Sequence, residues 1–247
     1  MPIHKAKALV LKRRNFRETS LIANFYTLDF GKISGILKGI KTDPAKFAST
    51  VEPFSYNEII FYKNRNSSLR LIGQCDMKDS FSGIRSSIEK ITAASTMMEL
   101  LDAVMPQEDK NEEIFHLALN CLKGLEISKT PERVLTIFKI KALSLSGFKP
   151  HLDSCVSCAN GITGSSRFSL ALGGLLCERC RAKDIGARTI FRGTIASVLH
   201  IERNPFKNSM NLGMNPQVKK ELDLLLNSFL TFHLERELTA ERTLLHI

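Results

Sequence analysis

Residues 5–38 read KAKALVLKRRNFRETSLIANFYTLDFGKISGILK, which is three short runs of aliphatic, β-branched and aromatic residues separated by turn-prone residues. Two further runs of the same kind follow before residue 80. The predicted strands are 5–13, 20–28, 32–38, 55–63 and 69–76. Short strands bounded by Gly, Pro, Asn and Asp are typical of a small closed sheet. The pattern therefore predicts a five-stranded barrel at the amino terminus.

The basic excess of the chain lies in the same region. The sequence has a formal net charge of +10, and residues 1–80 hold 14 Lys and Arg against 7 Asp and Glu, a net +7. A basic five-stranded barrel of this size matches the OB-fold, whose open face commonly holds single-stranded nucleic acid. The other interpretation is a purely structural module with a solvated basic face.

Beyond residue 80 the apolar residues recur at helical spacing. Predicted helices span 84–105, 112–127, 131–146, 189–202 and 216–230. Thr130 is the predicted N-cap of the third helix, and Gly147 is its predicted stop. Because the last two helices are too few to form a core of their own, we expect them to join the middle helices in one bundle.

Four of the six cysteines have metal-ligand spacing. Cys155-x-x-Cys158 is followed, after eighteen intervening residues, by Cys177-x-x-Cys180. Zinc prefers such a tetrahedron of soft thiolates, and four protein ligands leave no open position for catalysis. The spacing predicts one structural Zn²⁺, with a redox pair or unliganded buried thiols as the alternatives. The chain is thus predicted to be an α+β multidomain protein, with an OB-fold DNA-binding domain at 1–80, a helical domain at 81–154 and 185–247, and an inserted zinc-binding element at 155–184.

Catalytic and membrane signals are absent from the sequence. It contains no HExxH, GxSxG, phosphate-loop, GxGxxG or EF-hand motif, and the histidines are dispersed. No apolar run approaches the ~18–20 residues that cross a bilayer, and the first residues lack the apolar segment of a secretory signal. We expect a cytoplasmic protein that is not an enzyme and has no small-molecule substrate.

Several short motifs resemble one family. Phe16-Arg17-Glu18-Thr19-Ser20-Leu21, Thr27 four residues before Gly31, Lys38-Gly39 and Pro53-Phe54 are similar to the amino-terminal barrel of RecO, the bacterial recombination mediator and DNA repair family. The order of barrel, helices and four-cysteine element also fits. The resemblance implies a non-enzymatic, nucleoid-associated protein that binds single- and double-stranded DNA and anneals complementary strands. It further implies that the protein acts with RecR to load recombinase onto DNA coated by single-strand binding protein.

The expected DNA contacts are basic residues of the barrel, because a track of cations neutralises phosphates without reading sequence. They are Lys12, Arg13, Arg14 and Arg17 around Phe16, extended by Lys32, Lys38, Lys41 and Lys46. Phe25, Tyr26 and Phe30 could stack on bases, but strand alternation places some of them in the barrel core, which we favour for each single ring.

The resemblance also implies that the helical domain receives the acidic, Phe-ended tail of single-strand binding protein. Such a receptor needs an apolar pocket beside cations. The predicted residues are Arg133, Leu135, Phe138, Lys139 and Lys141, with burial in the bundle as the alternative. A second function remains open, a protein-interaction scaffold with a structural zinc site in which partners hold the DNA.

Overall fold

The structure is a computed structural model that describes residues 2–43, 47, 51–63, 67–234 and 238. The chain divides into two compact units, and the boundary falls inside one helix. The first unit holds the described residues up to Leu135 together with Leu238. The second runs from Thr136 to the end of the last helix.

The first unit contains a closed barrel of five strands. The strands are β1 (Ile3–Phe16), β2 (Ser20–Thr27), β3 (Gly31–Leu37), β4 (Tyr56–Tyr62) and β5 (Leu69–Asp79). They pair in the order β1-β2-β3-β5-β4, and β1 pairs with β4 to close the barrel. The β3–β5 contact is parallel and the others are antiparallel. The predicted OB-fold barrel is confirmed.

The barrel interior is filled by aliphatic and aromatic side chains from alternate strand positions, including Phe25, Ile33, Ile59, Phe61 and Ile72. Most of β2 is buried on both faces. Phe25 lies in the core and Tyr26 is also fully buried on the opposite face, where its ring stacks near Phe115 with centroids 6.4 Å apart. Phe30 packs against the core from its edge. Phe25 and Phe30 therefore follow the core interpretation, whereas Tyr26 is buried beside Phe115 of the second helix and outside the barrel core.

Two helices complete the first unit, α1 (Ile88–Val104) and α2 (Glu112–Ile127). The predicted helix from 84 to 105 is corrected at its start. A short 3₁₀ turn occupies Ser82–Ser86, and the Ser87 side chain caps α1 by accepting from the N–H of Lys90. The apolar stripe predicted for this helix included Ile88 and Ile91, but both lie in the first turn of α1 and are exposed, whereas Met98, Leu101 and Met105 are buried as expected. The prediction for α2 is confirmed.

The second unit combines helices with a small sheet. It contains α3 from Thr136 onward (the whole helix is Pro131–Leu145), β6 (Ser166–Ser169), β7 (Gly174–Cys177), β8 (Arg188–Thr189), α4 (Arg192–Arg203), α5 (Phe206–Met210) and α6 (Pro216–Leu234). Gly147, at a φ of 80°, follows the end of α3 as predicted. The helix predicted from 189 begins at Arg192 instead, because Arg188 and Thr189 pair with β6.

The predicted apolar stripe of the last helix is buried as expected from its spacing. Its residues are Val218, Leu222, Leu225, Leu226, Phe229 and Leu230. None of the helices in the described ranges is long and apolar enough to cross a membrane.

Candidate metal centre and nucleic-acid interface

The four cysteines come together in the second unit. Cys177 ends β7, Cys180 follows in the 3₁₀ turn Glu178–Lys183, and Cys155 and Cys158 lie in the preceding loop. Their sulfur atoms all lie within 4.8 Å of one another, and the Sγ atoms of Cys158 and Cys177 are 3.8 Å apart. A tetrahedron with metal–sulfur bonds of about 2.3 Å has edges of about 3.8 Å. The cluster therefore has the dimensions of a closed tetrathiolate metal site.

The backbone prepares Cys155 to be a thiolate. Its side chain is buried, and the N–H of Cys177 donates to its Sγ at 3.4 Å. Burial raises the pKa of Cys155, but the backbone N–H groups of Cys177, Cys158 and Ser157, together with the Cys158 side chain, outweigh it and lower the pKa to about 6. A metal ligand must be deprotonated, so these N–H groups favour metal binding.

The basic residues at the end of β1 line a groove on the barrel. The groove has a volume of about 640 Å³ and is formed by Arg13, Arg14, Asn15, Leu21, Ile40, Lys41 and Val51. Arg13 is held there, because its guanidinium donates to the carbonyl of Val51 at 3.1 Å and lies 3.2 Å from the Glu52 carboxylate. The predicted contacts Arg13, Arg14 and Lys41 are thus brought together.

Two more predicted contacts lie on exposed turns of the barrel. Arg17, at a φ of 55°, turns the chain between β1 and β2, and its guanidinium lies over the Phe16 ring at 5.3 Å from the centroid. Lys38 is exposed directly after β3. Within the described part of the chain, Arg14, Arg17, Lys38 and Lys41 form no ion pair with a carboxylate, so their charges face solvent.

Lys12 and Lys32 are placed differently, because both contact Asp102 of α1. Lys12 Nζ lies 2.7 Å from Asp102 Oδ2, while Lys32 Nζ donates to the Asp102 carbonyl at 2.5 Å and lies 3.5 Å from Oδ1. Lys32 is buried, so its side chain is not accessible for the DNA contact that the sequence predicted. Lys12 is exposed but paired, and Lys46 lies outside the described residues.

The charges around Asp102 determine its ionisation. Burial would raise the pKa of Asp102, but the ammonium groups of Lys12 and Lys32 and the amide of Asn24 together lower it below its usual value. Asp102 therefore joins β1, β2 and β3 to α1 as an ionised carboxylate. The sequence contained no signal for this residue, which lies seventy positions from Lys32.

The residues predicted to receive an acidic tail are largely inside the second unit and its boundary helix. Leu135 and Phe138 are buried, and Phe138 is fully so. Lys139 is buried with its Nζ 2.8 Å from Asn227 Oδ1, and Lys141 donates to the carbonyl of Asn204 at 2.5 Å. Arg133 is half-buried.

Comparison with known proteins agrees with the motifs of the barrel. The family model described as Recombination protein O N terminal matches residues 1–81, and Recombination protein O C terminal matches residues 85–242. The chain belongs to the RecO family. Its relatives include the DNA repair protein RecO of Alkaliphilus metalliredigens, 31% identical over 94% of each chain. That of Syntrophus aciditrophicus is 31% identical over 98% of this chain and 95% of its own.

RecO membership supports a role in recombination and DNA repair, with DNA and recombination proteins as partners. One of the RecO-like motifs has a structural explanation. The Thr27 hydroxyl donates to the carbonyl of Gly31 at 2.8 Å and accepts from the N–H of Phe30. Gly31 has a φ of +62°, and a Cβ there would overlap the backbone of Asp109. Thr27 and Gly31 therefore close the β2–β3 turn against the loop after α1.

Proposed function

We propose that the protein is a non-enzymatic recombination mediator that binds DNA through its barrel and anneals complementary strands. It would act with RecR to load recombinase onto DNA coated by single-strand binding protein. The observation that supports this most is the set of exposed barrel cations without carboxylate partners among the described residues, Arg14, Arg17, Lys38 and Lys41. RecO membership supports the same role.

The physical requirements of annealing fit such a surface. Two like-charged backbones must be neutralised while their bases stay accessible to each other. Cations on exposed turns do this for any sequence, whereas a tight base-reading site would restrict the reaction to particular sequences. We assign the phosphate contacts to Arg13, Arg14, Arg17, Lys38 and Lys41. Lys12 can contact a phosphate only when its ion pair with Asp102 opens.

We further propose that the four-cysteine cluster holds one structural Zn²⁺. Four thiolates at these distances match the preferred ligand set of zinc and leave no position for water or substrate. The metal would then stabilise the fold of the second unit and take no part in a reaction.

The proposal is tested with the purified protein in the absence of its partners. Its affinity for fluorescent oligonucleotides and its rate of annealing complementary strands are measured at several salt concentrations. We expect binding that falls steeply with salt and annealing faster than the spontaneous rate. Failure to bind DNA without partners would instead favour the interaction scaffold in which partners hold the DNA.

Two partner assays complete the test. Calorimetry with a synthetic acidic peptide ending in Phe tests contact with single-strand binding protein, for which we expect modest, salt-sensitive binding. Co-purification with RecR tests the second partner. A chain that binds DNA but neither partner would anneal strands without being a mediator.

A further inference from the structure

We propose that Cys158 is an oxidation site of the second unit, at which a peroxide removes the structural metal by joining Cys158 to Cys177 in a disulfide bond. The inference rests on the proposed function, because it takes the four-cysteine cluster to hold Zn²⁺, and it adds a modification of that site. Cys158 is exposed, Cys155 is buried, and Cys177 and Cys180 lie between these extremes. The four thiols therefore differ in their access to a solute.

Apolar packing shelters three of the four cysteines. Cys155 is part of a small hydrophobic cluster, and Cys177 and Cys180 pack against it. Cys158 stands outside this packing in the loop before β6, and residues 157 and 159–161 beside it are exposed as well. Because oxidation of a thiolate follows its exposure, we expect a peroxide to react first with the sulfur of Cys158.

Hydrogen bonds to two of the other sulfur atoms act in the same direction. The N–H of Cys177 donates to Cys155 Sγ at 3.4 Å, and the Ser157 hydroxyl donates to the sulfur of Cys180. A donor stabilises the negative charge of a thiolate, and a more stable thiolate is a weaker nucleophile. Cys155 and Cys180 are thereby made less reactive toward an oxidant.

Cys177 is placed to complete the reaction. Its Sγ atom lies 3.8 Å from the Sγ atom of Cys158, so a small movement of the exposed loop brings the two sulfur atoms to bonding distance. An accessible thiolate with a second thiolate beside it is the usual arrangement at a reversible oxidation site.

The reaction consumes one molecule of hydrogen peroxide in two steps. The Cys158 thiolate attacks a peroxide oxygen, the O–O bond breaks, and a sulfenic acid and a hydroxide ion form. The Cys177 thiolate then attacks the sulfenic sulfur, the S–O bond breaks, and a second hydroxide ion leaves as the disulfide forms. The two thiolates lose two electrons, which the peroxide gains.

The disulfide leaves only Cys155 and Cys180 as thiolate ligands. Two thiolates do not make the closed four-ligand set that a structural Zn²⁺ requires, so the metal is released. The fold around the cluster weakens with it, because binding of a structural metal is coupled to folding. A thiol reductant restores both thiolates by exchange, so the modification is reversible when zinc is supplied.

The test treats the full wild-type chain, purified reduced with zinc supplied, with hydrogen peroxide beside a chromogenic zinc indicator. We expect release of about one zinc ion per chain with the loss of two thiols. Mass spectrometry of alkylated peptides should then find a disulfide between Cys158 and Cys177. Cys75 and Cys121 are fully buried in the first unit and should stay reduced.

Two results would overturn the inference while leaving the proposed function intact. One is a chain that contains zinc and keeps it in peroxide, and the other is a disulfide that does not include Cys158. A chain purified in this way without zinc would instead refute the zinc assignment, and the inference would fall with it.

A variant pair locates the reactive sulfur. Cys158→His and Cys180→His both leave three cysteines and one histidine, a ligand set that also holds structural zinc. We expect peroxide to release zinc about tenfold more slowly from Cys158→His, because the accessible sulfur is gone. Cys180→His keeps Cys158 and Cys177 and should release zinc as fast as the wild type. Equal rates in the two variants would show that oxidation begins at another sulfur. If either variant does not bind zinc, the disulfide mapped in the wild type decides.

Discussion

The guanidinium group of Arg13 lies 3.2 Å from the carboxylate of Glu52. Both side chains are about one-third exposed, so the pair is accessible to a ligand. A phosphate that approaches Arg13 must compete with Glu52 for the same donors. Glu52 is therefore expected to weaken the proposed contact of Arg13 with DNA.

Glu52→Gln is expected to strengthen oligonucleotide binding. An exposed ion pair contributes ~0.2–1 kcal/mol, so the gain should reach at most about fivefold in Kd. Fluorescence anisotropy at low salt measures it. Glu113→Gln removes the same charge from the exposed start of α2 and serves as the control. If both variants bind equally well, Arg13 makes no phosphate contact.

Asp102→Asn should destabilise the first unit. The change removes the carboxylate that lies 3.5 Å from the buried ammonium of Lys32, and breaking a buried ion pair costs about 3 kcal/mol or more. Urea unfolding at pH 7 measures the loss. Glu58→Gln, which breaks exposed pairs with Lys5 and Lys78, should cost less than about 1 kcal/mol. Similar losses in the two variants would contradict the assigned role of Asp102.

The same carboxylate makes stability depend on pH. The pKa of Asp102 is lower in the folded protein than in the unfolded chain, so its contribution is fully present above the ordinary Asp pKa of about 4. That contribution is lost as the pH falls below this value. Between pH 7 and pH 3 the wild type should therefore lose more stability than Asp102→Asn. Parallel unfolding curves for the two proteins would contradict this.

Zinc content tests the metal centre. Protein purified reduced, without chelator and with zinc supplied should contain about one equivalent by elemental analysis, and Cys155→Ser should lose it together with structure in the second unit. Cys121→Ala, a change at a buried cysteine of α2, should keep its zinc. Oligonucleotide binding should survive in Cys155→Ser because the barrel lies in the other unit. Less than half an equivalent in the wild type would refute the zinc assignment.

Lys141 is expected to stabilise the second unit. Its Nζ donates to the Asn204 carbonyl at 2.5 Å and lies 3.5 Å from that of Glu202, where it caps the end of α4. Lys141→Met keeps the apolar stem but removes these donors, so we expect a loss of about 1–2 kcal/mol in thermal unfolding. Exposed Lys207→Met should be neutral. A stable Lys141→Met protein with weakened binding to the acidic peptide would support the predicted tail receptor at this position.

Local patterns in the sequence were sufficient for the barrel strands and the cysteine cluster. Strand alternation and turn residues act over a few positions, and the spacing of Cys155, Cys158, Cys177 and Cys180 directly encodes a metal-ligand geometry. The helix stop at Gly147 is equally local. These features were predictable because neighbouring residues determine them.

The contacts of the predicted site residues could not be predicted, because their partners are distant in the sequence. Lys32 is a basic barrel residue, as expected of a DNA contact. Its ammonium nevertheless contacts Asp102, which lies seventy positions further along the sequence. Arg13 is likewise held by Glu52, which lies in the β3–β4 connection. Phe138 fits an apolar pocket by its helical spacing, but α3 is buried on most of its faces beyond Arg133. Sequence periodicity identifies a buried face and cannot identify the residue that covers it.

Phosphate recognition by the barrel is the central claim, and the salt dependence of DNA binding tests it most directly. The variant combines Arg14→Ala, Arg17→Ala and Lys41→Ala. Its matched control changes three lysines in the first unit outside the barrel, Lys110, Lys123 and Lys129, to Ala. Both proteins lose the same total charge, so long-range attraction of DNA is reduced equally.

The measured quantity is the slope of log K against log salt concentration for several single-stranded sequences. Each phosphate contact on a single strand contributes about 0.7 to this slope. The account predicts that the barrel variant loses about two units of slope and binds every sequence more weakly, while the control keeps the wild-type slope. A barrel variant with an unchanged slope, or a control with an equal loss, would contradict the account.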